Sequence, residues 1–320
     1  MSSLLERLGV ELPIVQAGMG GGMAGHELAA AVSEAGGLGT LGLLGPEALA
    51  AELRAARERT ARPLAVNLLL PFARRRHWEV ARGADVVVSF WGRPRRHGDG
   101  LWLHQCGSVD EALRAKAAGA DGVIVQGVEA GGHVRGTLPT MTLLDHARSA
   151  LPPDYPVLAA GGLADAADVE RVLRAGADAA VLGTRFLMTP ESGAHPLYKT
   201  RLVEGGETVL TELFGLGWAG AHRVLPNQAT RRWLRSDPRG PAWLRAFNRL
   251  TGPALARLPE RLESALPGPR PERPLLSPRP PVRGAPEELI EAAPLYAGES
   301  VVRIGELYPA AKLTRELAPA

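Results

Sequence analysis

The chain has one cysteine, Cys106, few aromatic residues, and almost no net charge: 37 basic side chains face 34 acidic ones. A single thiol excludes an internal disulfide framework and a multi-cysteine zinc site, and fits a reducing, cytoplasmic location. No basic stripe alternates with aromatics, so a nucleic-acid partner is not expected. The run Arg74-Arg75-Arg76 reads as a solvated helix face, and most basic residues are arginines in an Ala/Gly/Arg/Pro-rich background. No apolar run approaches the roughly 20 residues of a membrane helix. The start, Met1-Ser2-Ser3-Leu4-Leu5-Glu6-Arg7, lacks the basic and apolar regions of a secretion signal. No histidine pair has metal-site spacing, and no Gly-x-Ser-x-Gly nucleophile elbow occurs.

What is present suits an α/β domain. Hydrophobic residues make up 45% of 320, enough for a sizeable core. Short apolar runs at Ile14–Ala17, Leu38–Leu41, Leu64–Leu68, Asp85–Ser89, Leu101–Gln105, Gly122–Val125, Val157–Ala160 and Ala179–Leu182 read as eight strands. Amphipathic segments lie between most of them, at His26–Ala35, Pro46–Arg59, Ser108–Ala118, Thr140–Ala150 and Asp165–Ala175, several ending in glycine. This alternation implies a parallel sheet and, at eight units, a closed (β/α)8 TIM barrel. The connections Pro71–Gly83 and Trp91–Gly100 are too short for full helices, so the middle units are expected to be shortened. Residues 1–236 are assigned to the barrel. Residues 237–320 are assigned to a proline-rich linker and a helical extension packing on it, with helical pieces near Ser300–Leu307 and Ala310–Leu317. Residues 185–236 read as a loop and helical pieces around Gly215-Leu216-Gly217-Trp218. Proline-rich 252–286 reads as a linker or an extended wrap.

The stretch Gln126-Gly127-Val128-Glu129-Ala130-Gly131-Gly132-His133 carries the most chemistry. An apolar strand ends at an amide, a glycine turn lets main-chain N–H groups approach a ligand, and an imidazole suited to proton transfer follows. The bland alternative is a histidine that bonds its own turn. The first loop contains Gly20-x-Gly22-x-x-Gly25, a dinucleotide fingerprint, but no carboxylate follows about 20 residues on, which argues against a Rossmann site. The loop suits the underside of a flat ring system instead. Ala160-Gly161-Gly162-Leu163 and Leu182-Gly183-Thr184-Arg185 follow the last two strands, where (β/α)8 barrels often hold a phosphate. Asn67 and Gln126, at strand ends, have side-chain amides that could bond a flavin edge. Of the other histidines, His77, His97, His146, His195 and His222 are expected to be exposed, His104 to be buried, and His26 to border the pocket; Cys106 reads as a packed thiol.

These motifs together resemble the nitronate monooxygenase family, formerly called 2-nitropropane dioxygenases. The resemblance rests on Pro13–Met19, Glu27–Gly39, Val66-Asn67, Ser89-Phe90, Gln126–His133, Ala160–Gly162 and Leu182–Phe186. It covers about residues 10–235, and Tyr296–Glu299 resembles a family tail. The Glu-Ala-Gly-Gly-His motif also occurs in flavin-dependent enoyl-acyl-carrier reductases. The resemblance implies FMN held by Gly18, Met19, Asn67, Gln126, Gly131, Gly132, Gly161, Gly162, Val181, Leu182, Gly183 and Thr184, and His133 as the catalytic residue. It implies an oxidoreductase acting on a small-molecule substrate: oxidation of an alkyl nitronate, or of a nitroalkane, by O2 to a carbonyl compound and nitrite. Alternatives are an NAD(P)H-dependent FMN reductase of an enoyl thioester or quinone, and a degenerate barrel serving as a scaffold. A homodimer is compatible with this reading. Two departures from the family, a short Asn67–Gln126 segment and a Gly-rich first loop, border the substrate side.

Overall fold

The computed structural model describes residues 3–255 and 268–319. Eight parallel strands surround a common axis: β1 (Ile14–Gln16), β2 (Gly39–Leu41), β3 (Leu64–Leu69), β4 (Val86–Phe90), β5 (Leu101–Cys106), β6 (Gly122–Gln126), β8 (Val157–Ala160) and β9 (Ala179–Leu182). β1 pairs with β9. The ring closes through a parallel bridge between Val15 and Leu38, where the Gln16 N–H donates to the Leu38 carbonyl at 3.0 Å. All eight strands expected from the sequence are present, to within a residue or two.

Alternation along each strand sorts the side chains. Val15, Leu38, Ala65, Val88, Leu103, Ile124, Leu158 and Val181 point inward and fill the barrel, and helix α1 (Ser3–Leu8) adds Leu4, Leu5 and Leu8 to the same core. Their neighbours Ile14, Val123, Val125, Ala159 and Leu182 point outward, where they meet α2 (His26–Glu34), α5 (Val109–Ala117), α6 (Thr140–Ala150) and α7 (Ala166–Arg174). α5 shows why these segments are helical. The Ser108 hydroxyl caps it by accepting from the Glu111 N–H, acidic residues occupy its first turn and basic ones its last, and Gly119 ends it at a φ of +87°. The middle units are indeed short: α4 (Arg75–Ala81) follows β3, and no helix separates β4 from β5.

A second, antiparallel sheet stands over the mouth. It joins β7 (Gly132–His133), β10 (Val209–Thr211), β11 (His222–Leu225) and β12 (Leu295–Tyr296). β11 is its centre, pairing His222 with His133 and Val224 with Tyr296. The expected loop and helical pieces of 185–236 therefore include two strands. The β11–β12 pair joins both sides of the boundary at 236/237 in one sheet. The sheet buries Tyr198, Leu213, Phe214, Val224 and Leu295 in a separate core. Of the proline-rich stretch, residues 268–286 are irregular, with turns at 271–274 and 283–285, Val282 bridged to Ala194 and Pro280 against Gly21. Residues 256–267 lie outside the described part. The first C-terminal piece is a 3-10 helix, Glu299–Arg303, and the second an α-helix, Ala310–Leu317. Among the described residues no helix is long and apolar enough to cross a membrane.

Candidate active site

The inward phase of the barrel decides what faces the mouth. Two residues beyond Leu38, Ala65, Leu103 and Ile124 stand Thr40, Asn67, Gln105 and Gln126, a ring of one hydroxyl and three amides at the C-terminal ends of the strands. The Thr40 hydroxyl is buried without a hydrogen-bond partner. Asn67 makes one long bond, donating to the Gly18 carbonyl at 3.4 Å, and a β-carbon at Gly18 would lie 2.3 Å from that of Asn67. The half-buried Gln105 amide makes no hydrogen bond among the described residues. Gln126 is more committed. Its amide donates to the His133 carbonyl at 3.1 Å and accepts from the Arg135 N–H at 3.1 Å. It therefore shapes its own loop, leaving one N–H and one lone pair for a ligand.

That loop is pinned throughout. The Glu129 carboxylate accepts the Thr140 N–H at 3.0 Å and the Thr140 hydroxyl at 2.9 Å. Gly131 packs on the main chain at Ala297 and Gly298. Gly132 and His133 form β7 and pair with Arg223 and His222.

His133 is the focus of an aromatic cluster. Its ring stacks on Trp218 at a centroid distance of 3.4 Å and an angle of 11°. Trp91, Tyr296 and His222 stand around it at 5.9, 5.7 and 5.2 Å. The Nε2 atom is buried and has no hydrogen-bond partner. Burial first, and the neighbouring His222 second, push its pKa well below the ordinary histidine value, so the ring is neutral. Trp91 is the only non-glycine residue at positive φ, +62°, among those described, and Arg135 lies 4.9 Å over its ring. Backbone strain of this kind concentrates at functional sites.

The two glycine loops lie where the sequence suggested. Gly161 and Gly162 adopt φ of +118° and +71°, which turns the chain sharply at the end of β8. The N–H groups of Gly161, Gly162, Gly183 and Thr184 make no main-chain hydrogen bond among the described residues. Beside Gly161 and Gly162 is a cavity of about 300 Å3, bounded also by Glu129, Thr140, Ser300 and Arg303. The Arg303 guanidinium donates to the Gly162 carbonyl at 2.7 Å and to Asp168 at 2.5 Å. The Thr184 hydroxyl accepts from the Gly298 N–H at 2.9 Å. Val181 and Leu182 bury their side chains in the inner and outer cores, and their main chain lies in the parallel ladder, with the Leu182 carbonyl accepting from the Ala17 N–H at 2.9 Å. Met19, half-buried, touches the outer barrel core and the cap core.

Several histidines depart from expectation. His77, His195 and His222 are buried, not exposed. Each is held by local bonds: the His77 ring by the Arg74 N–H, His195 as the cap of the helix Pro196–Glu204, and His222 between the Gly220 carbonyl and the Phe214 N–H. A motif search sees residue types, not these partners. His97 and His146 are exposed and His104 is buried. His26 binds Glu52 at 2.9 Å on the outer side of the first loop. Cys106 is a buried thiol whose pKa burial pushes up. Thr40, Gln105, Trp91 and Trp218 carry no motif. The first two follow from counting two residues beyond the inward strand positions, while the tryptophans meet His133 only through tertiary packing. No cluster of metal-ligating residues occurs among the described residues.

A family model described as nitronate monooxygenase matches residues 2–91 and 94–261. A nitronate monooxygenase from Pseudomonas aeruginosa is 32% identical over 282 residues, covering 69% of this chain and 78% of its own. A (3aS,4S,5R,7aS)-5-hydroxy-7a-methyl-1-oxo-octahydro-1H-indene-4-carboxyl-CoA dehydrogenase from Mycobacterium tuberculosis is 32% identical over 243 residues, covering 72% and 67%. The solved structure of a nitroalkane oxidase from Streptomyces ansochromogenes superposes with a TM-score of 0.76 at 31% identity, covering 99% and 96%.

Proposed function

The chain belongs to the nitronate monooxygenase family, and from that premise we propose that it oxidises alkyl nitronates to carbonyl compound and nitrite, with FMN as the bound cofactor and O2 as the electron acceptor. It is an oxidoreductase, and its cofactor class is a flavin. The observation that carries the reading is the buried, unpartnered Nε2 of a neutral His133 beside a ring of strand-end amides.

The residues present fit FMN by their donor chemistry. The free N–H groups of Gly161, Gly162, Gly183 and Thr184 suit a phosphate, and the amides of Asn67, Gln105 and Gln126 suit the donor and acceptor edge of a flavin ring. Gly18 and Met19 of the first loop, and Gly131 and Gly132 of the His133 loop, would border the ring, where the glycines would offer main chain rather than side-chain bulk. When bound, the flavin accepts electrons from substrate and passes them to O2.

His133 then has one task. A ring held neutral this firmly is a weak base, which favours a substrate that arrives already as its anion. A neutral imidazole with its proton on Nε2 donates a hydrogen bond to a nitronate oxygen, orienting the anion and recovering the bond that the buried nitrogen lacks. The aromatic walls exclude water and receive the alkyl chain.

One relative favours a second reading. The mycobacterial protein is named as a carboxyl-CoA dehydrogenase, which keeps in view an NAD(P)H-dependent reductase of an enoyl thioester or quinone. Anaerobic titration of the flavin-loaded protein separates the two. Propyl nitronate is expected to bleach the flavin band and NADH to leave it; bleaching by NADH alone overturns the nitronate assignment. His133→Ala is expected to keep its flavin and lose at least about a hundredfold in nitronate turnover.

A further inference from the structure

The Nε2 of His133 is buried with Trp218 in place, so a substrate that reaches it must move something. The groups packed around it differ in how firmly they are held. His222 sits in β11, with one ring nitrogen bonded to the Gly220 carbonyl at 2.9 Å and the other to the Phe214 N–H at 3.1 Å. The Tyr296 hydroxyl donates to the Pro278 carbonyl, and its own carbonyl accepts from Tyr198. Trp91 lies between Arg135, which is tied to Glu111, and the main chain at Gly220.

Trp218 is held far less. Its ring is half-buried at the surface, yet its Nε1 is enclosed without a hydrogen-bond partner. It belongs to no strand or helix, and the segment around it contains Gly215, Gly217 and Gly220, with Gly217 at a φ of +82°. One main-chain bond, from the Trp218 N–H to the Gly215 carbonyl, secures it locally. Beneath the segment, the Asn248 amide is buried 2.8 Å from where a β-carbon of Gly215 would stand, and neither its nitrogen nor its oxygen has a partner. Three unpaired polar side chains thus meet along one short loop. Buried groups without partners are costly, and a second position of the loop gives them partners or water.

We propose that Trp218 is the specificity-determining gate of this site: its indole lies flat on the His133 imidazole, closes the approach to the buried Nε2, and must be displaced before a nitronate can reach that atom. The proposal rests on the reading of His133 as the residue that meets the substrate. The slot uncovered is ring-sized and flat, bounded by Trp91 and Phe72, whose rings meet the indole edge-on at 5.3 Å each. It accepts the apolar tail of a substrate whose anionic head meets Nε2 in the plane of the imidazole. Displacing the indole reduces apparent affinity by the fraction of molecules that are closed.

Two measurements on the flavin-loaded protein test this, with Trp218→Ala and Trp218→Phe. The first is carbethoxylation of His133 by diethyl pyrocarbonate, followed by peptide mass spectrometry, and it does not depend on turnover. The rate at His133 is expected to rise about tenfold or more in the alanine variant and much less in the phenylalanine variant, which keeps a stacking ring. The second is the KM for propyl nitronate, which is expected to fall about tenfold in the alanine variant. Equal carbethoxylation rates in wild type and Trp218→Ala, or an unchanged or raised KM, overturn the gate. If His133 becomes reactive in the alanine variant while no form of the protein oxidises nitronates, the gate stands and the nitronate reading falls.

Discussion

Gly131 and Gly298 are in direct main-chain contact: a β-carbon on Gly131 would lie 2.4 Å from the Gly298 nitrogen and 2.6 Å from the Ala297 carbonyl carbon. The loop that carries His133 and the C-terminal segment are therefore one packed unit. Gly131→Ala is expected to force the two backbones apart, destabilising the fold by about 1–3 kcal/mol and abolishing nitronate turnover. Thermal denaturation and nitrite release check both. An unchanged melting temperature would show that the two segments separate freely.

The Gly161 turn is tight in the same sense. A β-carbon there would stand 2.6 Å from the Thr140 hydroxyl, at a φ of +118° that side chains rarely adopt. Gly161→Ala is expected to twist the free N–H groups of this turn and raise the dissociation constant for flavin at least about tenfold, or about 1.4 kcal/mol. Titration of flavin fluorescence measures it, and wild-type affinity would remove Gly161 from the cofactor site.

Acid should unfold this protein through its buried histidines. Burial lowers His104 and His222 from the ordinary 6.5 to about 4, and His133 moves in the same direction. Below pH 6.5 the unfolded chain takes up protons that the folded protein refuses. Stability is therefore complete above that pH and falls as pH drops toward 4, by about 1.4 kcal/mol per pH unit for each histidine. Melting temperature followed from pH 7.5 to 4.5 should drop, and His104→Gln should flatten the slope. A flat wild-type profile would refute the assignment.

Asp168 ties the tail to the phosphate-type loop. Burial alone raises its pKa, and hydrogen bonds from Arg303 and the Ala164 N–H more than offset that. Because Arg303 is partly exposed, Asp168→Asn is expected to cost about 1–3 kcal/mol, with faster flavin loss on dilution. Loss of stability without any change in flavin retention would confine Asp168 to a structural role.

The barrel was legible because its signal is local. Apolar runs such as Gly122–Val125 alternate with capped helices such as Val109–Ala117, and each can be read within a short window. The cap was not. His222–Leu225 follows a glycine-rich loop and carries two polar residues, and its partners His133 and Tyr296 lie far away in the sequence. The same distance hid the stack of Trp218 on His133. Gln126 could be recognised as an amide at a strand end, but not that its bonds already hold residues 133 and 135. Gln105 carries no motif, although its position follows from the inward phase of Leu103.

Order of synthesis adds a further meaning to the β7–β11–β12 sheet. The last barrel strand ends at Leu182, while the strands that fix His133 come from residues 222–225 and 295–296. A chain emerging from the ribosome has made every barrel strand before it has made the partners of β7. Its scaffold can close while the His133 imidazole still lacks these neighbours, so the surroundings of that ring are completed only once residues 222–225 and 295–296 have been made.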